Sequence, residues 1–174
     1  AALYGNRSAS ALMPGRHEDV IADCRRAVAL DSEYIKGYHR CAKASMATGD
    51  FETTIAMYRQ CLLREKGNKV FHKEKNAAEL AAERLMRGEK HLGTGKFAEA
   101  VTCCEQVLRV CPAAKRVKLM HVNALNGAGQ SDAAFKKCTE LLRDAPRDAE
   151  LLSLRARCLY LQGDFEKAIT HLKH

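Results

Sequence analysis

Glycines recur at Gly15, Gly49, Gly95, Gly129 and Gly163, so that three of the four intervals are equal and one is longer. The shared period, about 34 residues, is that of a helix–turn–helix unit that cannot bury its apolar face alone and must stack on its neighbours. This constrains the chain to an all-α architecture, an α-solenoid of antiparallel helix pairs. Function in such an array falls on an extended binding surface rather than in an enclosed reaction site.

Aligned on the glycines, the repeats run 1–34, 35–68, 81–114, 115–148 and, in part, 149–174. Each opens with a helix of about a dozen residues, turns at the glycine and continues in a second helix. In the first repeat Tyr4, Ser8 and Ala11 line one side of the first helix, and Val20, Ile21, Cys24, Ala27 and Val28 form a helical stripe on the second. The stripe recurs as Thr54, Ile55, Tyr58, Cys61 and Leu62, as Ala100, Val101, Cys104, Val107 and Leu108, and as Ala134, Phe135, Cys138, Leu141 and Leu142. Phe51, Phe97 and Phe165, each placed just after a glycine of the ladder, open second helices and are expected to pack between helices. The glycine ends the first helix where a left-handed residue costs least. Pro112 and Pro146 stop two repeats at the same slot.

The uneven interval, Gly49 to Gly95, is longer than the others by about three helical turns. Its extra segment is charged and Ala-rich and runs without a breaker from Phe71 to Leu92, with Gly67 and Asn68 punctuating its start. It reads as one helix of about 22 residues, roughly 33 Å long. The expected organisation is a first unit at 1–68, a linking helix at 69–92 that merges into the next repeat, and a second unit at 81–174.

Composition narrows the setting. No apolar run approaches the ~20 residues of a membrane span, and no targeting signal opens the sequence. The eight cysteines fall inside helical patterns, and Cys24, Cys104 and Cys138 share one repeat slot, so they read as reduced core thiols. Cys103, Cys104 and Cys111 lack the paired Cys-x-x-Cys hooks of a structural zinc site. Neither a metal nor another cofactor is expected, and the setting is read as cytoplasmic or nuclear. The net charge of +8 favours acidic partners.

One basic stripe stands out. Lys36, His39, Arg40 and Lys43 lie at i, i+3, i+4 and i+7, opposite the packing residues Tyr38, Cys41, Ala42 and Ser45. Asn6, one full period before Arg40, occupies the matching slot of the preceding helix. An amide and several cations converging on one groove suit a carboxylate; the bland alternative is a solvated helix face. In the second unit the inner slots carry Leu85, Met86, Leu92, Leu119, Met120, Leu154, Tyr160 and Leu161, either an apolar groove for a hydrophobic segment or ordinary packing.

Taken together, the chain resembles the tetratricopeptide repeat (TPR) family. The resemblance rests on the glycine ladder, the small residues Ser8, Ala42, Gly88 and Ala156 at the eighth slot, Ala100, Ala134 and Ala168 at the twentieth, and the two prolines. Val122, Val20 and Thr54 depart from it. The resemblance implies a TPR superhelix with a long helix joining two TPR units. Tyr4-Gly5-Asn6-Arg7-Ser8-Ala9 and Lys36-Gly37-Tyr38-His39-Arg40 are similar to the carboxylate clamp of TPR co-chaperones, which holds the acidic C-terminal tail of heat-shock proteins 70 and 90. That implies a peptide-carboxylate site at Asn6, Lys36, His39, Arg40 and Lys43. A complete clamp also draws a Lys and an Asn from a preceding repeat, which would lie before Ala1. The second unit holds Glu89, Met120, Glu150 and Leu154 where the clamp has Asn, Asn, Lys and Arg, so carboxylate binding is not expected there.

The pattern further resembles the TPR-containing J-domain co-chaperones of the DnaJ subfamily C type, through features such as Lys115-Arg116-Val117-Lys118-Leu119. The His-Pro-Asp motif of a J domain does not occur in these residues, and no enzyme activity is expected of them. Gly93-Thr94-Gly95-Lys96 lacks the remaining glycine, the Ser/Thr and the preceding strand of a phosphate loop. Asn6-Arg7-Ser8 is a glycosylation sequon only in form, and His17, His72, His91, His121 and His171 form no triad. Basic residues are not interleaved with aromatics as a nucleic-acid surface would require. No small-molecule substrate or membrane is implied. The rival reading is a general assembly scaffold that binds an internal acidic motif, an apolar segment or a nucleic acid.

Overall fold

The computed structural model describes residues 16–172. Among them the chain forms nine helices: α1 (His17–Leu30), α2 (Ile35–Thr48), α3 (Phe51–Arg64), α4 (Lys69–Gly93), α5 (Phe97–Leu108), α6 (Lys115–Gly127), α7 (Ser131–Asp144), α8 (Ala149–Leu161) and α9 (Phe165–Leu172). No described residue is in a strand. The architecture is the all-α succession of helix pairs read from the sequence.

The ladder glycines do what the period requires. Gly49, Gly95, Gly129 and Gly163 have φ between 74° and 84°, the left-handed region that only glycine enters cheaply; Gly15 lies outside the described residues. At Gly49 the turn is a Schellman cap: Gly49 N–H donates to Met46 O at 3.1 Å and Asp50 N–H to Ser45 O at 2.9 Å. The next helix starts at once, because the Asp50 carboxylate accepts from Thr53 N–H at 3.0 Å.

The recurring stripe is the core. Val20, Cys24 and Ala27 on α1, Thr54, Tyr58 and Cys61 on α3, Ala100, Cys104 and Val107 on α5, and Ala134, Cys138 and Leu142 on α7 are all buried. Thr54 is tolerated in a slot meant for alanine because its hydroxyl donates to Asp50 O at 2.7 Å. Phe51 is buried, and Phe97 lies against Gly127, where any side chain would strike its ring. Phe165 departs from the expected packing: it is 53% exposed and meets Tyr160 edge-on, with ring centroids 5.2 Å apart.

The long helix is 25 residues, slightly more than its sequence pattern indicates. Asn68 caps it, its side-chain oxygen accepting from Val70 N–H at 3.0 Å and Phe71 N–H at 3.2 Å. Two compact units divide within this helix. One comprises the residues up to Arg84 together with Val107–Lys115; the other comprises Leu85–Gln106 and the residues from Arg116 onward. In the first, Phe71 of α4 joins Tyr38, Ala42, Tyr58 and Cys61 in one apolar cluster. In the second, Leu119, Val122 and Leu125 of α6 pack with α7 and with Leu151, Leu154 and Cys158 of α8.

Candidate functional site

The basic stripe is held in place by what lies behind it. Tyr38, Cys41, Ala42 and Ser45 are buried on the packed face of α2, so the helix cannot rotate and Lys36, His39, Arg40 and Lys43 must face the other way. Gly37 lets the Tyr34 ring lie against the helix, since a Cβ there would come within 2.7 Å of Tyr34 Cδ1. The Arg40 guanidinium in turn reaches the Tyr34 hydroxyl at 3.5 Å. Lys36 and Lys43 are exposed, His39 and Arg40 half-buried.

The four cations do not form one uniform row. Glu74 of α4 faces the far half of the stripe, with its Oε2 2.9 Å from His39 Nε2 and its Oε1 3.9 Å from Lys43 Nζ. Burial and then a hydrogen bond to Glu74 hold the Tyr58 hydroxyl protonated far above the ordinary tyrosine range. The His39 ring is fixed sideways by Phe71, edge-on at 5.1 Å, and by Tyr58 at 6.0 Å. His39 is thus tied to Glu74 within the fold while its side chain stays half-buried on the stripe. Lys36 and Arg40 form the other i, i+4 pair of the stripe. Asn6, the amide expected beside them, lies outside the described residues.

Glu74 escaped the sequence reading because it belongs to a different helix and to the segment that breaks the period. A signal did exist: Glu74 stands one full period after Arg40, as Arg40 stands one period after Asn6. The start of α4 thus continues the repeat register of the first unit.

Matches to known proteins follow the repeats. A tetratricopeptide repeat family model matches residues 125–174. The crystal structure of the P58(IPK) TPR domain superposes with a TM-score of 0.81 over 98% of this chain and 48% of that one, at 19% identity. The described residues thus have the fold of a tetratricopeptide repeat array. The chain is similar to the human (Homo sapiens) DnaJ homolog subfamily C member 7, at 27% identity over 169 residues covering 97% of the chain and 34% of that protein. It is also similar to the Hsp70-Hsp90 organizing protein of Triticum aestivum, at 35% identity over 66 residues covering 38% of the chain and 11% of that protein. The chain thus spans about a third of the length of the DnaJ relative it matches.

In the second unit of the TPR array the clamp slots carry other chemistry. Glu89 pairs with Arg116 at 2.6 Å, and Met120 and Leu154 are buried. The apolar groove expected there is largely absent. Leu85, Leu119, Met120 and Leu154 are all buried, and Gly88 admits close packing beside them: a Cβ at Gly88 would lie 3.0 Å from Cys103 Cβ and 3.3 Å from Met120 Cε. Met86 and Tyr160 are exposed. Of the other two residues that the period placed on inner faces, Leu161 is exposed and Leu92 half-buried.

All eight cysteines are buried and unpaired by disulfides. Burial pushes the Cys41 and Cys111 thiols up to about 11 and those of Cys61 and Cys104 up to about 12. These four are inert packing thiols. Among the described residues, no cluster of His, Cys, Asp and Glu could hold a metal ion, and no helix is long and apolar enough to cross a membrane.

Proposed function

We propose that the chain is a non-catalytic interaction module of a co-chaperone, and that the basic face of α2 receives the acidic C-terminal tail of a heat-shock protein 70 or 90. The observation that carries this reading is the pair Lys36 and Arg40. They stand one helical turn apart on a face whose orientation is dictated by buried Tyr38, Cys41 and Ala42. Two cations so spaced can both donate to one terminal carboxylate. The similarity to a DnaJ subfamily C protein and to an Hsp70-Hsp90 organizing protein supports the same direction.

The His39–Glu74 pair favours one competing reading, because this stripe already accepts a side-chain carboxylate. Under that reading the chain is an assembly scaffold for internal acidic motifs. Calorimetry with a free-acid peptide ending in Glu-Glu-Val-Asp and its amidated twin separates the two. The clamp reading expects the amide to bind far more weakly, and Lys36→Ala and Arg40→Ala each to lose about 1.5–3 kcal/mol of binding. Equal binding of acid and amide would leave the scaffold reading standing alone.

A further inference from the structure

Cys138 on α7 and Cys158 on α8 are completely buried in one apolar cluster of the second unit. Asn126 of α6 supplies a donor to one of them, its Nδ2 lying 3.3 Å from Cys158 Sγ. Asn126 is itself buried, and its Oδ1 has no hydrogen-bond partner. A primary amide in an apolar core costs stability unless its bonds are made; here the bond it makes is to sulfur.

The repeat register shows that this is no general feature of the array. Cys138 sits in the slot shared with Cys24 and Cys104, so the repeat itself supplies it. The slot of Asn126 holds Met46, Leu92 and Tyr160 in other repeats, and the slot of Cys158 holds Ala44, Lys90 and Ala124. An amide and a second thiol have thus been added together at one place in the array, in mutual contact.

We propose that Cys138 and Cys158 form a peroxide-sensitive dithiol that closes to a disulfide joining α7 to α8, with Cys158 as the reacting sulfur and Cys138 as the resolving one. The Asn126 N–H directed at Cys158 Sγ favours the thiolate of Cys158. The thiolate of Cys158 attacks one oxygen of hydrogen peroxide. The O–O bond breaks, a Cys158 sulfenic acid forms, and the departing hydroxide takes up the thiol proton as water. Cys138 Sγ then attacks the sulfenic sulfur, the S–O bond breaks, and its oxygen leaves as a second water with the Cys138 proton. Two electrons pass from the thiols to the peroxide. Local opening of the helices admits the oxidant, since both sulfurs are shielded in the closed fold.

Cys24 and Cys41 are the internal control. They too pack in one cluster, but burial pushes the Cys41 thiol up to about 11. The test treats the whole chain with hydrogen peroxide under native conditions, alkylates the remaining thiols after denaturation without reductant, and maps the peptides by mass spectrometry. The expected product is a cross-linked peptide joining Cys138 to Cys158, lighter by two hydrogens and formed before any Cys24–Cys41 link. Asn126→Ala, with helicity checked by circular dichroism, is expected to slow that link several-fold. Oxidation of other thiols without this link, or a Cys24–Cys41 link forming equally fast, would overturn the proposal. An unchanged rate in folded Asn126→Ala would also overturn it. If that variant unfolds, the order of links in the unaltered chain decides alone.

Discussion

Replacing Glu74 by glutamine is expected to loosen the fold slightly while tightening peptide binding, a combination that follows from where this carboxylate sits. Glu74 is bonded to His39 at 2.9 Å and stands 3.9 Å from Lys43, and it also bonds to Tyr58. Glutamine keeps an oxygen for Tyr58 and loses the charge. With His39 and Glu74 side chains 27% and 29% exposed, the loss in folding stability is about 0.5–1 kcal/mol. A peptide carboxylate seated between Lys36 and Arg40 would lie roughly 6 Å from Glu74, about one helical turn along the stripe. At an effective dielectric of about 40, between the interior and bulk limits, two such charges repel by about 1.4 kcal/mol. Removing that repulsion predicts binding about tenfold tighter. The assay is calorimetric titration of both proteins with the free-acid peptide at low salt, repeated near ~1 M salt, where the Debye length of about 3 Å should erase most of the gain. Unchanged or weaker binding by a fully folded Glu74→Gln protein would refute the idea that this acid competes for the stripe.

Three further outcomes test the fold. Gly129→Ala, where nothing lies near the added methyl, should cost about 1–2 kcal/mol through its left-handed backbone alone. Gly49→Ala should cost more, because its Cβ would also meet Ala114 Cβ at 2.7 Å; equal losses in urea unfolding would reject the close approach. Asp148 caps α8 by accepting from Glu150 and Leu151 N–H at 3.1 and 3.2 Å, so Asp148→Ala should lose about 1 kcal/mol, read as a lower urea midpoint of the second unit. His121 is buried, and burial lowers its pKa below 6.5, with Glu105 opposing and Lys137 assisting. The unfolded chain then binds the proton more readily than the folded one. Stability is therefore complete above about pH 6.5 and falls as pH drops from there toward the folded value. His121→Leu should flatten that dependence in urea melts across the same range; an unaltered slope would assign it to other groups.

The order of helices was written in the sequence because it depends on local chemistry. A left-handed glycine, an aspartate cap and a helical apolar stripe each act within one or two turns, so a repeating unit could carry them without knowledge of the fold. Gly49 with Asp50, and Cys104 with Val107, are legible for that reason. The site was half legible. Lys36 and Arg40 share a face through helical spacing alone, and the buried residues behind them could be named from the same pattern.

Tertiary structure decided which of the aligned residues keep their surface. Glu74 reaches His39 from another helix, and no periodicity within α2 could reveal that part of the stripe is already neutralised. Leu119, Met120 and Leu154 had the spacing of a groove, yet they pack against α7, Gly88 and α8 and are closed to solvent. Asn126 and Cys158 are far apart in sequence, and only the packing of α6 with α8 brings amide and thiol within 3.3 Å. Helical phase is an intrinsic property of a chain segment. Burial and charge pairing belong to two segments at once, and they exist only when folding brings those segments together.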